Sequence, residues 1–165
     1  MNLTKVCARG IELLAETAKF GGFSFKTGYT FTDAEIRSGT PSGWTNGKRP
    51  NELPRHSLTT RLDYEKGSFG AFVKTTTKAD AMVDRTRGAA ARDKYKNYTT
   101  VDLGANYVYA KNHHFAVALN NLFNTGLEWT YGLDTQNRPS ASSWANAYRN
   151  YIEGRNLWMS YTYTF

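Results

Sequence analysis

The last ten residues alternate between two kinds of side chain. Leu157, Met159, Tyr161, Tyr163 and Phe165 fall at every second position, with Asn156, Trp158, Ser160, Thr162 and Thr164 between them. Successive side chains of a strand point to opposite faces, so this segment predicts a strand with one greasy and one mostly polar face. The same period recurs upstream. Phe23, Phe25, Thr27, Tyr29 and Phe31 alternate with Ser24, Lys26, Gly28, Thr30 and Thr32. Leu58, Thr60, Leu62 and Tyr64 alternate with Thr59, Arg61 and Asp63. Val101, Leu103, Ala105, Tyr107 and Tyr109 alternate with Asp102, Gly104 and Asn106, and Phe115, Val117 and Leu119 with smaller residues. Ile11, Leu13 and Ala15 alternate with Glu12 and Glu16, although Leu14 breaks the rule. Residues 69–77 are strand-like, with two faces that are harder to tell apart.

This gives about seven strands of about ten residues, the length of a tilted membrane-crossing strand rather than of an ordinary globular one. Residues 19–22, 65–68 and 110–113 read as tight turns, and 36–56, 79–97 and 132–150 as long loops. Short and long connections alternate, so every long loop leaves on one side, as in outer-membrane barrels. Single-chain bacterial barrels use an even strand count from about eight upward. An odd set ending on a strand therefore predicts the tail of a larger barrel, with residues 1–165 as one unit. The soluble rival is a β-sandwich, which also alternates. Large aromatics near strand ends and one-sided long loops count against it.

No stretch approaches the roughly 20 apolar residues of a membrane helix. Aromatics are 15% of the chain, heavy for a globular domain and suited to interfacial girdles. The segment from Met1 to Val6 lacks the apolar core of a secretory signal. Either a signal lies upstream on a longer chain, or this product does not reach an outer membrane by itself.

The formal charge of +7 directs attention to the loops. Residues 36–56 hold Trp44, Lys48, Arg49 and Arg55, and 79–97 hold Arg85, Arg87, Arg92, Lys94, Tyr95 and Lys96. The last loop region holds Trp129, Tyr131, Arg138, Trp144, Tyr148 and Arg149. Arginine beside Trp or Tyr suits a large anionic aromatic ligand, through charge attraction and cation–π contact. Trp44, Arg49, Arg85, Arg87, Trp129, Tyr131, Trp144 and Arg149 are the candidate ligand-binding residues. The alternative is that they are solvated, or touch lipopolysaccharide phosphates. The basic run from Arg85 to Lys96 has no recognition-helix pattern, so nucleic acid is not expected.

Catalytic chemistry is not expected either, because no nucleophile stands beside an activating base. Cys7 is the one cysteine, which excludes an intrachain disulfide and a cysteine metal site. His113 and His114 are adjacent, would point to opposite faces of a strand, and read as a polar turn rather than a metal site. His56 reads as the start of a strand. Glu12 and Glu16 share a face and are expected to pair with Arg or Lys across strands.

Five short segments carry a family resemblance. They are Arg9-Gly10-Ile11-Glu12, Asn51-Glu52-Leu53-Pro54-Arg55-His56, Tyr98-Thr99-Thr100-Val101-Asp102-Leu103, Asn121-Leu122-Phe123-Asn124, and Gly154-Arg155 ahead of Phe165. In that order they resemble the C-terminal barrel region of TonB-dependent receptors, over nearly the whole chain. The resemblance implies an all-β fold, an antiparallel transmembrane β-barrel fragment comprising about the last seven of about 22 strands, without the plug domain. It implies the outer membrane of a Gram-negative bacterium and import of a ferric siderophore, of catecholate type on the loop composition. It implies no cofactor beyond that transported ligand. The implied partners are outer-membrane lipid and lipopolysaccharide, the barrel-assembly machinery, and the TonB complex only through the plug. Leu157, Met159, Tyr161, Tyr163 and Phe165 resemble the terminal-strand signal read in barrel assembly. Two alternatives stand beside this: an inactive truncated remnant of such a receptor, and a secreted β-sandwich that binds carbohydrate.

Overall fold

The computed structural model describes residues 5–38, 49–50, 53–84, 92–94, 97–125, 129–133, 139–146 and 152–165. Its elements are β1 (Lys5–Glu16), β2 (Phe23–Ser38), β3 (His56–Lys66), β4 (Phe69–Ala79), β5 (Met82–Asp84), β6 (Arg92–Lys94), β7 (Tyr98–Tyr109), β8 (His113–Asn120), β9 (Trp129–Leu133), β10 (Pro139–Asn146) and β11 (Asn156–Tyr163). Seven of them form one antiparallel meander in the order β1-β2-β3-β4-β7-β8-β11. The other four form two small ribbons, β5 with β6 and β9 with β10, within the long connections. No helix among the described residues is long and apolar enough to cross a membrane.

The register fixes the two faces. Phe25, Leu62, Val73, Leu103, Leu119 and Leu157 line one cross-sheet row, and Phe23, Tyr64, Ala71, Ala105, Val117 and Met159 the next. These rows lie on the apolar face, here called outer. Most of its large side chains are exposed, and the buried apolar residues among those described are only Ala34, Ile36 and Ile152. A water-soluble sandwich would bury this face against a second sheet. Among the described residues no second sheet packs on it, so the sandwich alternative fails. An exposed apolar band of this extent fits contact with lipid.

The hairpin turns are staggered. The first turn closes at the pair Phe20 and Phe23, in the row of Tyr64. The second follows Lys66↔Phe69, one outer pair lower, and the third follows Tyr109↔His113, one lower again. Strands tilted in a barrel wall require such a stagger. A ring of aromatics tracks the descending turns: Phe23 and Tyr64 (centroids 4.6 Å apart), Phe69, Tyr107, Phe115 and Tyr161 (the last two at 5.1 Å). Gly67 opens the second turn at φ 58°, a left-handed backbone that glycine adopts without strain.

At the other end of β2 the alternation inverts. Below Phe31 the outer face is apolar. Beyond it the outer positions are Asp33, Glu35 and Arg37, while Ala34 and Ile36 on the opposite face are buried. The inversion explains why β1 and β2 extend further than the periodicity predicts. Beyond the apolar band the outer positions are charged and the buried apolar residues lie on the other face, so the hydrophobic signal changes sides.

Candidate functional site

The inner face is polar and its charges are paired across strands. Glu16, Lys26, Arg61, Lys74 and Asp102 stand in one register row. Three cations side by side repel one another. Each has its own acid: Lys26 Nζ lies 2.9 Å from Glu16 Oε1, Lys74 Nζ lies 3.7 Å from Asp102 Oδ2, and Arg61 Nε donates to both oxygens of Asp63 at 2.8 and 3.0 Å. The expected pairing of Glu16 with a basic neighbour is thus present. Arg61 also stacks on Phe72, with its guanidinium carbon 3.9 Å from the ring centroid. Phe72 finds room because Gly104 lies opposite: a Cβ there would run into the ring. This inward aromatic is why the faces of residues 69–77 are hard to read from sequence. Leu14, which breaks the alternation of β1, also lies on the inner face, 87% exposed.

Three of the sequence motifs meet at the long-loop end of the sheet. Asn121, 4% exposed, sits just past β8 with a left-handed backbone at φ 48°, which Asn tolerates better than most residues. Its Nδ2 donates to the carbonyls of Thr125 and Glu153, both at 2.9 Å, and its Oδ1 accepts from Thr125 N at 2.9 Å. Its own N–H donates to Asp102 Oδ1 at 2.9 Å. Asn124 Oδ1 accepts from Arg155 N at 2.9 Å. The departing and returning ends of the connection between β8 and β11 are therefore tied to each other and to β7. Beside this knot, Lys74, Lys78, Tyr98, Asn120 and Asn156 line an inner-face hollow of about 270 Å³.

The remaining two motifs meet at the rim of β2. Arg9 donates through Nε and Nη2 to Asp33 Oδ2, at 3.1 and 3.0 Å, and Arg55 Nη2 donates to Asp33 Oδ1 at 3.0 Å. Arg49 Nη1 donates to Asp80 Oδ2 at 2.9 Å, and Arg55 Nη1 lies 3.7 Å from the same oxygen. Gly10 is needed because a Cβ there would strike the Phe31 carbonyl. Just below, His56 Nδ1 and Tyr29 Oη hydrogen-bond at 2.7 Å, and the His56 ring lies 5.4 Å from that of Phe31.

The candidate ligand-binding residues distribute unevenly. Trp44, Arg85, Arg87 and Arg149 lie outside the described residues. Trp129 and Tyr131 fall in β9 and Trp144 in β10, where Trp144 is the register partner of Tyr131. Arg49 is the one whose side-chain contacts are described, and it holds Asp80 beside Arg55. On the terminal strand, Leu157, Met159, Tyr161 and Tyr163 all lie on the exposed outer face, with Phe165 beyond β11. Tyr161 Oη and His113 Nδ1 hydrogen-bond at 2.9 Å, so His113 belongs to the aromatic ring, while His114 lies on the opposite face. The knot residue Asn121 was visible in sequence only as part of a family motif. Its burial and bonding depend on Glu153 and Asp102, which are remote along the chain.

The comparisons agree with this geometry. A family model described as TonB dependent receptor-like, beta-barrel matches residues 2–124. Among solved structures, the chain is similar to P. aeruginosa FpvA bound to heterologous pyoverdines, with a TM-score of 0.62 and 19% identity over 97% of this chain and 20% of that one. It is also similar to FpvAI in its complex with pyocin S2, with a TM-score of 0.59 and 21% identity over 97% of this chain and 19% of that one. No curated protein matches significantly. The chain thus spans about a fifth of the length of these solved structures, and at such identities the likeness establishes the fold. By the family match and by its seven-stranded antiparallel sheet, the chain belongs to the TonB-dependent receptor-like β-barrel family.

Proposed function

We propose that this chain is part of the wall of an outer-membrane receptor that takes up a ferric siderophore, driven by energy coupled from the inner membrane through a plug domain. The observation that carries this reading is the division of the sheet. Its outer face is apolar with an aromatic ring at the turn end, and its inner face is a row of paired charges. That is the arrangement of a lipid-facing wall around a hydrated lumen. The similar structures add support for the ligand class, since one of them is FpvA bound to pyoverdines. Within that class a ferric catecholate, anionic and aromatic, fits the loop set Trp44, Arg49, Arg85, Arg87, Trp129, Tyr131, Trp144 and Arg149. The reading also makes the terminal strand, Leu157 to Phe165, the segment recognised by the assembly machinery.

Radio-iron uptake by cells with and without the intact gene tests the reading. The expected result is that deletion abolishes uptake of a ferric tris-catecholate and leaves ferric trihydroxamate and ferric citrate unaffected. Unchanged uptake of every ferric chelate would count against transport and favour the remnant reading.

A further inference from the structure

We infer that Asn112, in the turn between β7 and β8, positions the terminal strand for the partner strand that reads it in assembly. This rests on Leu157 to Phe165 being the segment recognised by the assembly machinery, as the proposed function has it. The register of β11 on β8 runs from Asn156↔Asn120 to Tyr163↔His113. One step further, Thr164 stands opposite Asn112, where β8 has given way to the turn. A strand end in that place ordinarily frays. Here both backbone groups of Thr164 are taken by one residue. Thr164 N donates to the Asn112 carbonyl at 3.0 Å, and Asn112 Nδ2 donates to the Thr164 carbonyl at 2.7 Å. The side-chain amide supplies the donor that a main-chain N–H supplies in a regular antiparallel pair. The next residue, His113, bonds Tyr161 Oη at 2.9 Å, and its ring centroid lies 5.0 Å from that of Tyr163.

The bond at Thr164 also fixes which residues serve which edge of the strand. In an antiparallel ladder, successive residues turn their backbone groups alternately to the two sides. Thr164 turns its groups toward β8, and by that alternation so do Thr162, Ser160 and Trp158. Leu157, Met159, Tyr161 and Tyr163 turn theirs to the opposite edge. The close rings of Tyr163 with His113 and of Tyr161 with Phe115, at 5.0 and 5.1 Å, agree, because side chains lie nearer in pairs without ladder bonds. These four residues also place their side chains on the outer face. A partner strand adding at that edge thus bonds the backbone of the same residues that carry the apolar pattern. Adding to a loose tail would cost the ordering of each residue. The hold by Asn112 carries the extended form through Thr164, so the strand is ordered before the partner arrives.

The test takes the full-length protein, unfolded in urea, and mixes it with vesicles that hold the assembly machinery. The heat-modifiable form is measured against time. Asn112→Asp removes the donor and sets a carboxylate oxygen against the Thr164 carbonyl, and Asn112→Ala removes the side chain. Both should assemble about threefold to tenfold more slowly, the worth of one hydrogen bond. Thr77→Val removes the hydroxyl bond between Thr77 and Thr99, elsewhere on the outer face, and should assemble at the unaltered rate. In vesicles without the machinery all four proteins should insert at the same rate, which a merely structural role of Asn112 would not allow. Equal slowing with and without the machinery, unchanged rates in both Asn112 variants, or an equal loss in Thr77→Val overturns the inference. Should neither Asn112 variant fold, hydrogen exchange on the unaltered assembled protein decides. The Thr164 N–H should be protected like that of Thr162, and exchange as in a free tail overturns the inference. Phe165→Ser in the same assay separates the two readings. Normal assembly there overturns the terminal-strand signal and this inference with it. Slowing there but not in the Asn112 variants overturns this inference alone. Uptake is not read, so a failure of the transport reading is a separate result.

Discussion

The Nδ2 of Asn121 donates to the carbonyl of Glu153 at 2.9 Å, closing 32 residues of chain with one bond. The same side chain is bonded to both main-chain polar groups of Thr125, so it carries three hydrogen bonds while almost fully buried. Asn121→Ala strands those partners and leaves the left-handed backbone to a residue that tolerates it less well than Asn. We expect a loss of about 2–3 kcal/mol, read as a lower unfolding temperature in detergent. We also expect faster protease cleavage within the connection between β8 and β11. Asn121→Asp should be at least as damaging, because a carboxylate would face the Glu153 and Thr125 carbonyls. Unchanged melting and cleavage in Asn121→Ala would mean that the knot does not hold the connection.

Gly104 and Phe72 form a second coupled pair. Gly104→Ala pushes on the Phe72 ring and disturbs its stacking with Arg61. Overpacking of this kind costs about 1–3 kcal/mol. Adding Phe72→Ala should relieve much of that cost, so a double-mutant cycle should be clearly non-additive. Additive losses would mean that the ring does not depend on the glycine.

The parts of this fold that were legible in sequence are those where one face of the sheet is apolar and the other polar. Leu58, Leu62 and Tyr64 announce β3, and Leu157 to Tyr163 announce β11, because apolar and aromatic side chains dominate the outer face there. The signal fades for three physical reasons. Beyond Phe31 both faces meet different surroundings, so the outward charges of Asp33, Glu35 and Arg37 hid the extension of β2. On β4 an inward Phe72 is allowed by a glycine on the neighbouring strand, which no local pattern reveals. The ribbons of β5 with β6 and β9 with β10 lie outside the apolar band and carry no alternation imposed by it. The rim and knot show the same limit. Arg9, Arg55, Asp102, Asn121 and Arg155 were marked by motif, but their meeting in two clusters is a property of register.

Phe165 gives a prediction about assembly. Among the described residues its ring makes an edge contact with Tyr163 at 5.1 Å, and its side chain is otherwise exposed, so it adds little to the stability of this sheet. Phe165→Ser should nevertheless lower the amount of protein assembled in the outer membrane several-fold, on the order of the loss of one buried anchor at an interface. Quantifying heat-modifiable protein in membrane fractions checks this. An unchanged amount would remove Phe165 from the assembly signal.

The isolated polypeptide of 165 residues should not insert as a stable monomer. The outer edges of β1 and β11 have no partner strand among the described residues, and unpaired backbone groups are costly in lipid. Gel migration in detergent, with and without heating, should show one unfolded form. A heat-modifiable monomer would show that the two edges find another way to be satisfied.

The central claim is that lipid and lumen lie on opposite faces of this sheet, and single cysteines along β3 test it directly. With Cys7 replaced by serine, cysteines placed in turn at residues 58 to 64 would be labelled in intact outer membranes with a water-soluble maleimide. A second set would carry a fluorophore and be exposed to a lipid-phase quencher. Positions 59, 61 and 63 should react with the maleimide, and 58, 60, 62 and 64 should be quenched from lipid. Uniform labelling along the strand, or the opposite phase, would contradict the account.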